Sequence, residues 1–329
     1  MSDTKTPGTR PGEFELIGRY FAHAGASREE VQLGQGDDAA LIKIGGQTMA
    51  VCTDTMVAGR HFLAAQAPRD IGYKSLAVNL SDLAAMGAQP MWAMLNLTHP
   101  DGDETWVRGF CDGFSELSRA HGVALIGGDT TRGPLNVGIS VGGPLAGRPM
   151  LRSGAKPGQA LLVSGNIGDG AVGLSILKGD YQPSSADRDY CLERLHRPRP
   201  HLAESGFIRD IAHSAIDVSD GLLADIRHVL TASSVGVVLD SHRIPLSQPV
   251  NRYLESTGDL GSLLSGGDDY VLCFTVDEQD LGKITQSVPP HLQLSRIGTI
   301  TEQTGELVIR DRQGNVLEVE RTGFDHFRP

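Results

Sequence analysis

The chain has 329 residues, enough for two hydrophobic cores. Its formal net charge of -11 argues against nucleic acid or an anionic membrane surface as the main partner. The first residues are polar, no apolar run approaches a membrane span, and no two of the four cysteines form a CxxC pair. We therefore expect a soluble cytoplasmic protein with free thiols, which binds neither nucleic acid nor membrane.

The first half of the chain predicts strands mixed with helices. Two apolar runs, ALIKI and QTMAVCTDT, flank Gly45 and Gly46 and predict a hairpin. Residues 69–88 predict a helix, and residues 104–122 predict a second one, whose apolar residues recur at helical spacing up to Gly122. VALIGG and NVGISVGG then predict two strands.

The second half begins again with a strand, QALLVSG, and a helix, GAVGLSILKG. SAIDVSDGLLADIRHVLTAS predicts a strand that leads into a helix with one apolar face, formed by Leu222, Leu223, Ile226, Val229 and Leu230. LLSGGDDYVLCFTV predicts a loop and a strand, and LQLSRIGTI and GELVIRD predict closing strands. No fixed-period repeat is present. The expected fold class is α/β (α+β) in two domains, residues 13–148 and 149–329.

Acidic residues recur in one local setting, where a short apolar run meets small residues. The segments GQGDDAA, CTDT, NLSDLAAMG, LIGGDTT, AIDVSDG and SGGDDY contain Asp37, Asp38, Asp54, Asp82, Asp129, Asp217, Asp220, Asp268 and Asp269. Each alone is better explained as a turn or helix-cap residue than as a ligand, and Asp220 before GLLADI is a candidate cap. Together they predict a site for Mg²⁺ and phosphate, because carboxylates are hard oxygen ligands and such a cluster repels itself without cations.

Other motifs carry less information. SGNIGDGAVG has the glycines of a phosphate loop but lacks the GK[ST] of a Walker A motif. IGGDTTRGP offers backbone amides and Arg132 to an anion, and is equally a glycine turn between strands. His61 follows Asp54 by seven residues, although a lone histidine is more often structural. No GxSxG elbow occurs, so a serine hydrolase is not indicated.

Taken in chain order, these segments resemble the thiamine-phosphate kinase family, within the aminoimidazole-ribonucleotide synthetase superfamily. The resemblance rests on GEFELIGRYF, GQGDDAALI, TDTMVAGRHF, YKSLAVNLSDLAAMGAQP, LIGGDTTRGP, RSGAKPGQALLVSG, SAIDVSDGLLADI, LSGGDDYVLCFTV and GFDHF, and runs nearly end to end. It implies that the N-terminal domain binds ATP and magnesium and pairs in a homodimer through its strands. The C-terminal domain would complete the nucleotide and substrate site.

The resemblance also implies roles for individual residues. Several Mg²⁺ ions would be bound by Asp38, Cys52, Thr53, Asp54, Asp82, Asp129, Asp217 and Asp220. ATP would contact Gly128, Asp129, Arg152 and Ser219, thiamine phosphate would contact His61, Asp268 and Phe324, and Asp54, Asp129 and Arg152 would be catalytic. The family has a hydroxyl residue at position 52, and sulfur binds Mg²⁺ poorly, so Cys52 would contribute through its carbonyl. The family's GGEDYE is GGDDYV here, which shortens the carboxylate at Asp268.

The implied reaction is ATP-dependent phosphorylation of thiamine phosphate to thiamine diphosphate by direct in-line transfer. The acceptor phosphate has a second pKa of about 6, so no general base is needed, and catalysis is mainly positioning and electrostatic stabilisation. One rival is selenophosphate synthetase of the same superfamily, which requires a reactive Cys or selenocysteine near a glycine-rich N-terminus that this chain lacks. Another is a non-catalytic nucleotide- or thiamine-binding protein, against which the retained aspartates argue.

Overall fold

The computed structural model describes residues 12–21, 24–282, 284, 289 and 292–319, whose strands form two sheets. The first sheet has the order β1-β2-β3-β6-β4-β5. Its strands are β1 Val31–Leu33, β2 Ala40–Ile44, β3 Gln47–Val57, β4 Trp92–His99, β5 Ala124–Arg132 and β6 Asn136–Pro144. Strands β2 and β3 pair antiparallel across Gly45 and Gly46, both at positive φ, which confirms the predicted hairpin.

Two long helices cover one face of this sheet. After the short helix α1 Glu13–Leu16 and a π-helical turn at Ile17–Phe21, these are α2 Pro68–Ala85 and α3 Glu104–His121. The two helices cross at glycines: a Cβ on Gly113 would lie 1.7 Å from the carbonyl oxygen of Arg69, and one on Gly72 would lie 2.0 Å from that of Phe110. Only glycine permits this approach. The two predicted helices are confirmed.

The second sheet has the order β13-β12-β9-β11-β7-β10-β8. Its strands are β7 Ala160–Val163, β8 Ser214–Asp217, β9 Gly236–Asp240, β10 Leu272–Val276, β11 Ser295–Thr301, β12 Leu307–Arg310 and β13 Val316–Leu317. The accompanying helices are α4 Asp169–Lys178, α5 Ser185–His196, α6 Leu202–Ile208, α7 Leu222–Ser233, α8 Gln248–Thr257 and α9 Leu260–Ser265, with helical turns at Ser241–Arg243 and Glu278–Asp280. The expected α/β fold class is confirmed.

Helix α7 confirms the predicted apolar face, because its five predicted members are all buried. Asp220 is not its cap. The helix begins after Gly221 and has no side-chain cap, whereas the carboxylate of Asp225, inside the helix, accepts hydrogen bonds from the backbone amides of Ser219 and Asp220 at 3.0 and 3.1 Å. Asp220 is therefore left to face the cavity described below.

Helix α2 also joins the two sheets. Ser81 is buried and its hydroxyl donates a 2.6 Å hydrogen bond to Asp217 at the end of β8. Ala84 and Ala85 pack in a core with Met150 of the connecting segment and Leu272 of β10. The helix is buried on most sides, which explains why its residues are apolar or small almost throughout. Within the described ranges no helix is long and apolar enough to cross a membrane.

The glycine-rich turn before α4, a candidate phosphate loop in the sequence, is filled by a side chain of the protein. The carboxylate of Asp269 accepts hydrogen bonds from the amides of Gly168 and Gly170 at 2.7 and 3.1 Å. A carboxylate at a helix N-terminus satisfies the same donors that a phosphate would. Asp269 therefore stabilises the start of α4, and its recurrence with the other aspartates in the sequence reflects a structural role.

Asp269→Ala is expected to lower the free energy of unfolding by about 2 kcal/mol, because two inward-facing amides lose their acceptor. Urea unfolding monitored by circular dichroism measures the change. Asp112→Ala, at an exposed position on α3, is the matched control and should leave the midpoint in place. Equal midpoints for Asp269→Ala and the wild-type protein would contradict the capping role.

Candidate active site

A cavity of about 1290 Å³ is lined by both halves of the chain: by β3 and α2 from the first, and by α4, the end of β8 and the loop before β10 from the second. It brings together many of the predicted site residues, namely Asp38, Cys52, Thr53, Asp54, His61, Asp82, Arg152, Asp217, Ser219, Asp220 and Asp268. Gly128 and Asp129 lie elsewhere, on β5. Phe324 lies outside the described residues.

Carboxylates dominate one part of the cavity. Asp54 projects from β3, Asp82 from α2 and Asp217 from the end of β8. Burial together with the charges of Asp54 and Asp217 raises the pKa of Asp82 well above its usual range. Burial and the charge of Asp38 raise the pKa of Asp217 to about 8. Such a group of carboxylates repels itself unless protons or cations neutralise it, so the cluster is suited to bind cations.

Arg152 supplies one positive charge at this site. Its Nε lies 3.0 Å from Oδ1 of the buried Asp38, and its backbone amide donates to Asp37 at 3.1 Å. The second oxygen of Asp38, Oδ2, is buried and has no hydrogen-bond partner in the described structure. Since a buried carboxylate oxygen is costly to leave unpaired, Oδ2 is suited to bind a cation while Oδ1 keeps Arg152 in place.

The carboxylates of the cavity suit Mg²⁺ that is bound in part by water and substrate phosphates. Among the described residues, no three His, Cys, Asp or Glu side chains converge on one point as a complete protein cage would require. Mg²⁺ is usually bound through one or two carboxylates, with waters and substrate phosphates completing its octahedron. Separate carboxylates around an open cavity suit this mode of Mg²⁺ binding. Oδ2 of Asp38, which has no hydrogen-bond partner in the described structure, is one oxygen that could bind the ion.

The raised pKa of Asp217 predicts how the metal-free protein responds to pH. The folded state holds a proton on Asp217 up to about pH 8, whereas the unfolded chain loses it at about pH 4. The free energy of unfolding should therefore fall as the pH rises through this window. Burial lowers the pKa of His121, His196 and His228, so their protonation in the unfolded chain opposes this slope near pH 6.5 and adds little only between about pH 7.5 and 8.5.

Differential scanning calorimetry in a chelator, at several pH values in that range, measures the slope. Asp217→Asn should flatten it while keeping the hydrogen bond from Ser81, since the amide oxygen still accepts. A metal-free protein that becomes more stable as the pH rises through this range would contradict the assignment.

The two residues that precede Asp54, Cys52 and Thr53, differ in their orientation. Cys52 points toward α2, with its sulfur 3.5 Å from the carbonyl oxygen of Asn79, and burial together with Asp82 raises the pKa of the thiol. A neutral thiol is a poor ligand for a hard cation, which agrees with a contribution of Cys52 through its carbonyl alone. Thr53 lies on the opposite face of β3, where its hydroxyl donates to the carbonyl of Ile139 at 3.1 Å.

His61 follows β3 in a tight turn that its own ring stabilises. The amide of Val57 donates to Nδ1 of His61 at 2.9 Å, so in the neutral ring the proton lies on Nε2. This contact presents the ring to the cavity with a defined donor. His61 therefore has a local structural role, and it also lies on the cavity wall.

The structure also reveals site residues that were not singled out in the sequence. Lys74 and Val78 line the cavity from α2 together with the predicted Asp82, at intervals of four residues on one helix face. The side-chain oxygen of Asn79 accepts the amide of Asp54 at 3.1 Å and fixes the strand against the helix. The spacing of Lys74 and Asp82 was visible in YKSLAVNLSDLAAMGA, but a lysine inside an apolar helix is more often an exposed residue.

Gly128 and Asp129 lie on the edge strand β5, whose residues are all exposed. A Cβ on Gly128 would lie 1.8 Å from the carbonyl oxygen of Leu95, so this glycine permits the close pairing of β5 with β4. One line of paired residues crosses the four strands β5, β4, β6 and β3. It consists of Asp129, Asn96, Gly138 and Thr55, in that order. Three strand spacings, about 14 Å, therefore separate Asp129 from the neighbour of Asp54 in the same chain.

Comparison with known proteins gives matches over nearly the whole chain. Residues 36–147 match the AIR synthase related protein N-terminal domain, and residues 156–310 match the corresponding C-terminal domain. The thiamine-monophosphate kinase of Escherichia coli (strain K12) is 46% identical over 323 residues, which cover 96% of this chain and 98% of the relative.

Solved structures agree with these matches. The crystal structure of thiamine-monophosphate kinase from Stenotrophomonas maltophilia K279a is 38% identical, with a TM-score of 0.77 over 92% of this chain and 96% of the other. A structure described as AaThiL complexed with AMPPCP and TMP is 28% identical, with a TM-score of 0.84 over 98% of this chain and 100% of the other. The chain belongs to the thiamine-monophosphate kinase family, whose two domains are those of the AIR synthase related proteins.

Proposed function

We propose that this protein transfers the γ-phosphoryl group of ATP to thiamine phosphate and so forms thiamine diphosphate, in the cytoplasm. The observation that carries the proposal is one cavity lined by Asp38, Asp54, Asp82, Asp217 and Arg152. Its relative AaThiL was solved with AMPPCP, an analogue of ATP, and with TMP. The cavity lies between the two predicted domains, and we place their boundary at residue 148, between β6 and β7.

The chemistry requires two anions to approach each other. Mg²⁺ ions held by the carboxylate cluster would neutralise the phosphate oxygens and the charge that develops in the transition state. Asp38, Asp54, Asp82, Asp217 and Asp220 are the described cavity residues that would hold them.

The remaining tasks fall to groups of the protein. Arg152, fixed by Asp37 and Asp38, has a second edge for a phosphate oxygen. The amide of Ser219, in contrast, is already bonded to Asp225, so we assign its hydroxyl to the nucleotide. His61 offers Nε2–H to the substrate. No residue has to remove a proton, because the acceptor phosphate is largely ionised at neutral pH.

Free thiamine is therefore expected to be a poor acceptor, with kcat/KM lower by about 100-fold or more, since its alcohol needs a general base. A coupled assay of ADP release with each acceptor tests this. Comparable turnover of thiamine and thiamine phosphate would contradict the proposed reaction and indicate a site with its own base.

We further propose that the protein is a homodimer, which is supported by two strand edges that have no neighbouring strand among the described residues. Strand β5 is at one end of the first sheet. At β3 the pairing with β2 stops at Val51, so residues 52–57 have β6 on one side and no described strand on the other. Exposed edges of this kind invite pairing with another chain. Met94 and Ile126, 40% and 61% exposed, add apolar surface nearby.

Two copies would give both edges a neighbouring strand if β5 of each copy paired with β3 of the other. The strands β3, β6, β4 and β5 of the two copies would then close into a barrel of eight strands. The interior would be the open face of the sheet, where Gly138, Gly142 and Met94 lie, and closure removes the edges altogether. Asp129 of one copy would then stand beside Thr53 and Asp54 of the other. Ligands of one Mg²⁺ lie within about 4 Å of each other, so Asp129 and Asp54 of one chain are too far apart to share an ion, whereas this arrangement would let Asp129 of one copy and Asp54 of the other share one.

A further inference from the structure

Lys74 is a buried charged residue at the cavity whose presence the transfer chemistry does not explain. Its side chain is 3% exposed, and its Nζ lies 2.7 Å from Oδ1 of Asp268, whose side chain is 29% exposed. An ammonium group is costly to bury, and the ion pair offsets that cost. Both residues line the cavity, and of the two side chains it is that of Asp268 that is partly exposed. The ion pair is therefore open to the cavity on the side of Asp268.

The position of Lys74 along α2 places it away from the carboxylate cluster. Lys74 and Asp82 are eight residues apart on the same helix face, which corresponds to about 12 Å along the axis. A substrate whose phosphate lies near Asp82 would therefore extend its other end toward Lys74 and Asp268. In thiamine phosphate that other end is the aminopyrimidine ring, whose exocyclic amine is a hydrogen-bond donor.

The loop that carries Asp268 is held in a strained conformation. Asp268 and Tyr270 have φ of 72° and 51°, in the left-handed region that residues other than glycine seldom adopt. The amide of Asp268 donates to the carbonyl of Ser219 at 2.9 Å, and a Cβ on Gly267 would lie 2.2 Å from that same oxygen. Strain of this kind persists where the surrounding structure enforces it, often at functional sites.

The contacts of the Asp268 carboxylate are one-sided. Lys74 Nζ reaches Oδ1 at 2.7 Å, and the hydroxyl of Tyr270 donates to the same oxygen at 3.2 Å. Two donors on Oδ1 fix the plane of the carboxylate and direct Oδ2 away from α2. A carboxylate oxygen fixed at that end of the cavity suits an amine donor.

We propose that Lys74 is a positioning residue for substrate recognition: it holds Asp268 so that Oδ2 accepts a hydrogen bond from the exocyclic amine of the pyrimidine ring. The assignment rests on the proposed function, since it takes thiamine phosphate as the substrate. Lys74 itself touches neither the transferred phosphoryl group nor ATP, so it sets affinity and specificity for the acceptor and leaves the transfer step unchanged.

Lys74→Met tests this role, because methionine has similar length and no charge. KM for thiamine phosphate should rise about tenfold, as loss of a hydrogen bond to a charged group predicts. KM for ATP and kcat should stay within about twofold of wild type. Lys156→Met, at an exposed position outside the cavity, is the matched control, and Lys74→Gln replaces Lys74→Met if the latter does not fold.

Two further measurements separate positioning from a general structural role. In an Asp268→Asn background, Lys74→Met should add little, because Lys74 acts through that carboxylate. With an analogue of thiamine phosphate that carries hydrogen in place of the pyrimidine amine, wild type and Lys74→Met should have the same KM. Three results for Lys74→Met would each overturn the assignment. They are an equal rise of KM for both acceptors, a parallel rise of KM for ATP, and an unchanged or lower KM for thiamine phosphate. A wild-type protein that does not phosphorylate thiamine phosphate would overturn the proposed function as well.

Discussion

Asp54→Asn is expected to lower kcat by about 100- to 1,000-fold at saturating Mg²⁺ and ATP. The substitution keeps the volume of the side chain and removes the charge that it contributes to the carboxylate cluster. The hydrogen bond from the amide of Asp54 to Asn79 involves the backbone and is retained. The variant should therefore fold, and its loss of turnover reports on the cluster alone.

The same substitution should not destabilise the metal-free protein. The charge of Asp54 contributes to the raised pKa of Asp82 and of Asp217, so its removal relieves repulsion and favours folding. Melting temperature in a chelator and steady-state kinetics are measured on the same preparation, with Asp112→Asn as the exposed control. Near wild-type turnover, or a large loss of stability, would show that Asp54 does not belong to a metal-binding cluster.

A mixed dimer is expected to restore activity to two inactive variants. Chains with Asp54→Asn and with Asp129→Asn should each be nearly inactive as homodimers. If Asp129 acts in the site of the other copy, a heterodimer of the two contains one site with both substitutions and one site with neither. It should show about half of the wild-type turnover per dimer, since the two sites are equivalent by symmetry.

The heterodimer is isolated through two different affinity tags after co-expression, and is assayed beside both parents. Activity no higher than that of the parents would mean that Asp54 and Asp129 do not combine across the interface. That result would overturn the barrel arrangement and leave the phosphoryl transfer itself in place. A wild-type protein that is monomeric under assay conditions would overturn it too.

The sequence predicted most of the elements that surround the cavity, because their signals are local. The hairpin β2–β3 and the helices α2, α3 and α7 have turn glycines or apolar faces that suffice to identify them. The strands β1, β4, β9 and β13 and the helices α1, α5, α6, α8 and α9 were not predicted from the sequence. Helix α5, SADRDYCLERLH, is largely polar, and its burial comes from packing against α4 and α8.

The roles of the individual aspartates, in contrast, could be predicted from the sequence only in part. Their repetition predicted a shared site, and the structure gathers Asp38, Asp54, Asp82 and Asp217 around one cavity. The same pattern also included Asp269, which caps α4 and binds no phosphate. The position of Asp129 on an exposed edge could not be inferred from one chain, because a site completed by a second copy leaves no trace in local sequence periodicity. The role proposed for Lys74 needed the fold, since it depends on a loop nearly 200 residues further along the chain.

The most direct test of the proposed function follows the phosphoryl group itself. The protein is incubated with γ-³²P-labelled ATP, Mg²⁺ and thiamine phosphate, and the nucleotides, thiamine products and protein are separated. Direct transfer predicts that the label appears in thiamine diphosphate in equal amount to the ADP formed, and that ATP alone leaves the protein unlabelled. Release of labelled inorganic phosphate without labelled thiamine diphosphate, or a labelled protein band, would contradict it.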